Sequence, residues 1–257
     1  MSSQINSVSV PVNLLTSEPY IHVLCYPSSD TEEASRRVEE LSCLGVVRVI
    51  FEGRTKIGSL GLLGKGCVSL VVKAEDAGRL YALKIRRTDA NRPSMHREAD
   101  LQRLANEVDV GPKLHIVSDN FILMDIAEGE SITSWIRGLK GSGSTARLRD
   151  VLREVLSQSF KLDQAGLDHG ELSNLEKHVY VGHKVIMLDF ETASLNRRVS
   201  NVTSALQNLF VGGSQAKKVR RMLRLKEVQP IIKAVRLYKE ERSVKRFEDL
   251  LQELNLL

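Results

Sequence analysis

The chain reads as an α+β protein whose strands crowd the first half and whose helices fill the second. Three observations predict this. Between Ile57 and Asp125 short apolar runs follow one another across Gly, Asp and Asn turns, the pattern of an antiparallel sheet. Past a Gly/Ser-rich stretch at positions 138–145, Leu148, Val151, Leu152, Val155 and Leu156 recur at helical spacing. Finally, 257 residues with 42% hydrophobic and 27% charged side chains have a globular composition and can bury a substantial core.

The elements follow in order. Residues 1–56 read as a small α/β extension. It has a short apolar run, Ile21 to Cys25, and a helix whose cap and first-turn acids are Asp30, Glu32 and Glu33, ending near Gly45. A β-rich run from Val46 to Phe51 completes it. Residues 57–129 predict five strands and one helix. Leu60 to Leu63 leads into the turn Gly64-Lys65-Gly66, and Val68 to Ala74 returns to Leu80–Ile85 through the hairpin turn Asp76-Ala77-Gly78-Arg79. A helix from about Pro93 to Val108 is broken by Gly111-Pro112, and Lys113 to Val117 and Phe121 to Asp125 finish the sheet. Residues 130–257 predict a flexible connector at 138–145 and a long helix to about Ala165. A hairpin of Val179 to Val181 and Val185 to Leu188 turns at Gly182. Helices near 202–210, 215–228 and from 231 onward complete the chain.

Several classes are excluded. No apolar run approaches the ~18–20 residues that span a bilayer, and the start lacks the basic and apolar regions of a secretory signal. Cys25, Cys43 and Cys67 are odd in number and lack C-x-x-C spacing, so they read as buried small hydrophobes in a reducing, cytoplasmic protein.

The chemistry-bearing residues are few. Gly64-x-Gly66 between two strands allows close backbone approach to an anion, though a plain hairpin turn accounts for it equally well. It is not a phosphate-binding P-loop, because Ser59 and Gly66 stand where that pattern needs Gly and Ser/Thr. Lys84 closes an apolar strand and is better explained facing a phosphate and a carboxylate partner, for which Glu98, fourteen positions on, is placed. Asp189 closes the apolar run Ile186-Met187-Leu188. A carboxylate there needs a partner or a cation. Glu171 and Glu176 are further hard oxygen donors of the kind Mg²⁺ takes. His169 reads either as an acid/base or as a hydrogen-bonded packing residue.

In order, Gly64-x-Gly66-x-x-Ser69-x-Val71, Ala82-Leu83-Lys84, Glu98, the run 122–129, His169-Gly170-Glu171-Leu172-Ser173 and Leu188-Asp189-Phe190 resemble the ordered signature of the protein-kinase-like superfamily. The resemblance is nearest the small atypical kinases: the RIO kinases, the kinase subunit of the KEOPS complex and archaeal-type serine/threonine kinases. It implies a two-lobed fold with an antiparallel N-terminal lobe plus one helix and a reduced helical C-terminal lobe. It also implies ATP and Mg²⁺. The stretch Gly64, Lys65, Gly66 to Ser69 would cover the phosphates, with Val71 and Ala82 beside it. Lys84 would contact the phosphates, paired to Glu98; Met124, Asp125 and Ile126 would present backbone to adenine; Asp189 would hold the metal. Glu171 stands at the catalytic aspartate position and Glu176 at the metal-binding asparagine position, while Glu191 replaces the glycine of D-F-G. With 68 residues after Asp189 and no A-P-E motif, the resemblance implies an enzyme that phosphorylates itself or a docked partner. A non-catalytic ATP-binding subunit and a small-molecule phosphotransferase are the competing readings.

The net charge of +5 hides an asymmetry. Between Ala216 and Arg246 twelve Lys and Arg face three Glu, a local +9. Lys217, Lys218, Arg220, Arg221 and Arg224 read either as a solvated helix face or as a contact for RNA or the ribosome.

Overall fold

The computed structural model describes residues 7–257 and is α+β, with antiparallel sheets and ten α-helices among those residues. It divides into two compact units. One comprises the residues up to Asp100 with Lys113–Ile126; the other comprises Leu101–Pro112 and Ala127–Leu257.

The first unit runs β1 (Val8–Pro11), α1 (Ile21–Leu24), α2 (Thr31–Cys43), β2 (Arg48–Phe51), β3 (Thr55–Ile57), β4 (Leu60–Leu62), β5 (Gly64–Lys65), β6 (Ser69–Asp76) and β7 (Arg79–Arg86). The first turns of α3 (His96–Glu107) follow, then β8 (Leu114–Val117) and β9 (Phe121–Met124). Seven strands form one sheet in the order β1-β2-β6-β7-β9-β8, with β5 added to β6. The sheet is therefore continuous across position 56, because β2 pairs directly with β6 through Val49↔Ala74. The apolar run from Ile21 forms a helical turn, α1. Its neighbour α2 starts as the sequence predicts: the Asp30 carboxylate accepts from the Glu32 and Glu33 amides.

Buried Arg37 on α2 locks the helix to the sheet. Its Nη1 donates to the Leu24 and Arg86 carbonyls at 2.7 Å each, and Nη2 to Asn120 Oδ1 at 3.1 Å. The β6–β7 hairpin turns on Ala77 and Gly78, both at positive φ, which matches the twist of the flanking strands. One sheet face buries Leu70, Val72, Leu83, Ile85, Phe121 and Leu123 in the unit's main core. The helix expected from Pro93 begins three residues later, at His96.

The second unit holds the last turns of α3, then β10 (Glu130–Ser131), α4 (Ile132–Gly138), α5 (Ser144–Gln164), α6 (Leu175–His178), β11 (Val179–Val181), β12 (Val185–Met187) and α7 (Asn201–Leu206). A π-helical turn (Gln207–Gly212), α8 (Ala216–Met222), α9 (Gln229–Glu240) and α10 (Val244–Glu253) end the chain. The expected connector shrinks to positions 139–143, since α4 occupies its start and α5 its end. The expected two-stranded hairpin is three-stranded, β10 pairing with β11. The basic helix expected over 215–228 stops at Met222. There Arg224 turns to φ 58° and the Leu225 amide reaches back to the Arg220 carbonyl at 2.9 Å, a left-handed helix stop made without glycine.

Asp163 fastens α5 to α7 and α9. Oδ1 accepts from the Asn201 amide and Nδ2 at 3.0 and 2.9 Å, and Oδ2 from the Tyr238 hydroxyl at 2.8 Å. No helix among the described residues is long and apolar enough to cross a membrane. Of the cysteines only Cys25 is buried; Cys43 and Cys67 are exposed, so the expectation of three buried thiols is corrected.

Candidate functional site

In the first unit, strand register gathers most of the expected nucleotide residues on one face. Cross-strand partners share a face of a sheet. Gly64, Val71, Lys84 and Ile122 form one row of partners, and Lys73, Ala82 and Met124 the next. This face lies opposite the main core and is partly covered by a small cluster of Met95, Ala99 and Ile122.

Lys84 on β7 and Glu98 on α3 meet on it. Their side chains are 6% and 1% exposed, and Nζ stands 2.5 Å from Oε1. Arg92 Nη1 approaches the other Glu98 oxygen at 3.5 Å. Two charges are withdrawn from water and compensated by each other. Such pairs contribute little net stability, because desolvation offsets the attraction.

The glycine turn is a tight hairpin: Gly66 N–H donates to the Ser69 carbonyl at 2.8 Å. Neither Gly64 nor Gly66 has left-handed backbone. A Cβ at 64 would come no nearer than 3.8 Å to Val71, and one at 66 would stand 3.4 Å from the Ser69 carbonyl. The hairpin therefore does not need glycine at these two positions. Lys65 is turned toward Tyr26, donating to its hydroxyl at 2.8 Å. Ser69 and Ala82 are buried. Of the expected adenine-facing run, Met124 is paired on both sides in the sheet, and the Asp125 amide is taken by the Lys113 carbonyl at 2.9 Å. The Asp125 carboxylate pairs with His115 at 2.7 Å and Arg79 at 3.1 Å. Ile126 is half-buried.

In the second unit the loop before α6 and the strand end after β12 converge. Donor atoms of Glu171, His178 and Asp189 all lie within 4.8 Å of one another. Leu188, just before Asp189, is clamped from two sides: its amide donates to the His178 carbonyl at 2.8 Å, and its carbonyl accepts from His169 Nε2 at 3.0 Å. Asp189 itself sits at φ 72°, a conformation that Asp tolerates better than most residues. The loop is closed behind the cluster by Asp168. Its backbone bridges to Ser194, and its carboxylate accepts from Arg197 at 2.9 Å and the Ser200 amide at 3.0 Å. Glycine is required at 170, where φ is 90° and a Cβ would strike Thr192 and Arg197.

The expected residues fare differently. Glu171 and Asp189 are brought together; Glu176 is exposed on α6 and outside the group, its place taken by His178, which the sequence analysis did not single out. His169 is fully buried between His178 and Phe190. Burial and the neighbouring His178 pull its pKa down to about 4, so it is neutral and serves as a packing and positioning group. Among the five basic residues of α8 and its end, Lys218 donates to the Ile136, Arg137 and Leu139 carbonyls at 2.7, 3.0 and 3.3 Å, and Arg220 to the Phe210 carbonyl. Those two charges hold the fold together. Lys217, Arg221 and Arg224 are exposed.

No protein-family model matches the chain. An uncharacterized protein of Methanocaldococcus jannaschii is 28% identical over 102 residues, which is 40% of this chain and 84% of that protein.

Proposed function

We propose that this chain is an atypical serine/threonine protein kinase of two-lobed, kinase-like fold, which transfers the ATP γ-phosphate to itself or to a docked protein. The single observation behind the reading is the buried Lys84–Glu98 pair, on the same sheet face as Gly64, Val71, Ala82 and Met124. A structural role would be met as well by two apolar side chains. A role in gripping phosphate needs the lysine charge, and the carboxylate to aim it. The two glycines fit the same reading, since their own hairpin does not demand them and close approach by a phosphate would.

In this reading Lys84 contacts the ATP phosphates, and Asp189 with its neighbours holds the divalent cation, Mg²⁺ in the family resembled. Glu171 accepts the proton of the attacking hydroxyl, the oxygen displaces ADP from the γ-phosphorus, and catalysis rests on positioning and charge neutralisation. The donor set fits a cation, because two carboxylates and an imidazole converge and His178 Nδ1, buried, has no hydrogen-bond partner among the described residues. Incubation with γ-labelled ATP should label the protein or an added acceptor, and Asp189→Ala should abolish the labelling. Equal labelling of both proteins would defeat the proposal.

A second reading, a non-catalytic ATP-binding subunit, is favoured by Glu171 and Glu191, which depart from the resembled motifs. It expects nucleotide binding without turnover, and salt-dependent RNA binding through Lys217, Arg221 and Arg224. ADP release with an alcohol or sugar acceptor would instead mark a small-molecule phosphotransferase.

A further inference from the structure

We infer that the cation site of the second unit is a mixed nitrogen–oxygen centre, with His178 as a direct ligand, and that it selects a first-row transition dication over Mg²⁺. The inference deepens the kinase reading and rests on its assignment of Asp189 as a cation ligand.

The argument starts from His178. The side chain is 7% exposed, yet among the described residues it makes no hydrogen bond. Nδ1 has no partner. Nε2 stands 3.6 Å from Glu171 Oε2, beyond hydrogen-bond reach. A buried imidazole nitrogen left without a partner, as Nδ1 is, is costly, and nearly all buried polar groups in folded proteins avoid that state. The cost is removed if that nitrogen binds a cation. Everything needed is adjacent: the half-buried Glu171 and Asp189 offer one carboxylate oxygen each, with all donor atoms within 4.8 Å of one another. Donors ~2.1 Å from one ion stand roughly 3.0–4.2 Å apart, so side-chain rotations that draw the atoms together by up to about 2 Å close the site.

The ligand set decides the metal. Mg²⁺ demands oxygen donors in near-ideal octahedral array and gives up its waters reluctantly. An imidazole nitrogen is a poor exchange for one of those oxygens but a good ligand for manganese, cobalt or zinc, whose affinities for mixed N/O sites rise along the first row from Mn²⁺ to Co²⁺ and beyond. The clamp on Leu188 keeps the geometry firm. The His178 carbonyl holds the Leu188 amide, so the residue supplying the nitrogen also fixes the strand end that supplies the Asp189 oxygen. His169, from the other side, holds the Leu188 carbonyl.

The test uses the full-length, metal-free chain without nucleotide, titrated calorimetrically with Co²⁺, Mn²⁺ and Mg²⁺ separately. Affinity should fall in that order, with Co²⁺ at least tenfold tighter than Mg²⁺. Electron spin-echo spectroscopy of the Mn²⁺-loaded protein should show nitrogen coupling from one imidazole. His178→Gln should erase that coupling and shrink the Co²⁺/Mg²⁺ preference at least tenfold, while Asp189→Asn should weaken all three ions. The nitrogen coupling is read on wild-type protein, so it stands even if His178→Gln folds poorly. Absence of imidazole coupling, equal affinity for the three ions, or no binding of any ion overturns the inference. Failure of the kinase reading is separate: imidazole-bound metal without phosphate transfer under any cation defeats that reading and leaves this one standing. Transfer with Mg²⁺ and no imidazole coupling does the reverse.

Discussion

Replacing Lys84 by Met separates the structural use of the Lys84–Glu98 pair from its functional one. The variant leaves the Glu98 carboxylate 1% exposed, with Arg92 at 3.5 Å as its remaining cation within ion-pair distance among the described residues. Removing one partner of a buried pair costs about 3–5 kcal/mol, and the nearby Arg92 places this case toward ~3 kcal/mol. At roughly 2–4 °C per kcal/mol for a chain of this size, the melting temperature should fall by about 6–12 °C. Lys84→Met with Glu98→Leu removes both charges and fills the space with apolar groups. It should recover most of the loss, because a well-packed apolar pair is about as stable as a buried ion pair. Urea denaturation followed by circular dichroism measures both. In parallel, fluorescent-ATP binding should be lost in the single variant and stay lost in the double. A single variant within 1 kcal/mol of wild type would refute the burial argument, and a double variant that still binds ATP would refute the role given to the lysine.

Other outcomes follow from the same geometry. Gly66→Ala should leave stability unchanged or raised by about 0.4–1 kcal/mol, since no left-handed backbone is needed there, yet lower ATP affinity; a large loss of stability would show the hairpin itself needs glycine. A thiol reagent should titrate Cys43 and Cys67 in the native protein and reach Cys25 only after unfolding, because burial pushes that thiol up to about 11; ATP should slow labelling at Cys67, beside the glycine turn, and not at Cys43. The carboxyl of Asp163 is held above its usual range by burial, which outweighs the hydrogen bonds from Tyr238 and Asn201. Because the folded state then binds the proton more tightly than the unfolded one, the stabilising contribution is present below about pH 4 and is lost as pH rises through the raised value. Urea midpoints of wild type relative to Asp163→Asn should therefore decline over the interval just above pH 4; a rising difference would contradict the sign.

Much of this was legible in the chain, for reasons that can be located. The β6–β7 hairpin announced itself through Asp76-Ala77-Gly78-Arg79, and α2 through its Asp30 cap, because both signals are local. Lys84 and Glu98 were readable as partners because a strand-to-helix return over fourteen residues brings their elements side by side. What the sequence hid was non-local or lacked its usual marker. The joining of β1 and β2 to the main sheet rests on the β2–β6 pairing, and the seating of α2 on Arg37 reaching carbonyls and an amide in three distant segments. The stop after Met222 came without glycine. The loss of Lys218 and Arg220 from the expected polyanion face depends on backbone carbonyls around α4 and at Phe210 that no charge count contains. His178 had a signal that went unused: a hairpin registered on Val179↔Met187 necessarily sets position 178 beside the strand end that leads into Asp189.

The attachment of β2 to β6 also bears on how the sheet avoids sticking to copies of itself. Arg48, Val49 and Ile50 cover Glu75, Ala74 and Lys73 of β6, and β1 in turn covers β2. Trimming the chain to position 57 would strip both strands and leave Lys73, Ala74 and Glu75 of β6 with open amides and carbonyls, the template on which strands of separate molecules add to one another. The same cut removes Arg37, so the Arg86 carbonyl and the Asn120 side chain lose their buried donor. The stretch from β1 to β2 thus acts as a guard rail along the sheet, and a shortened protein should associate or precipitate before any question of its chemistry arises.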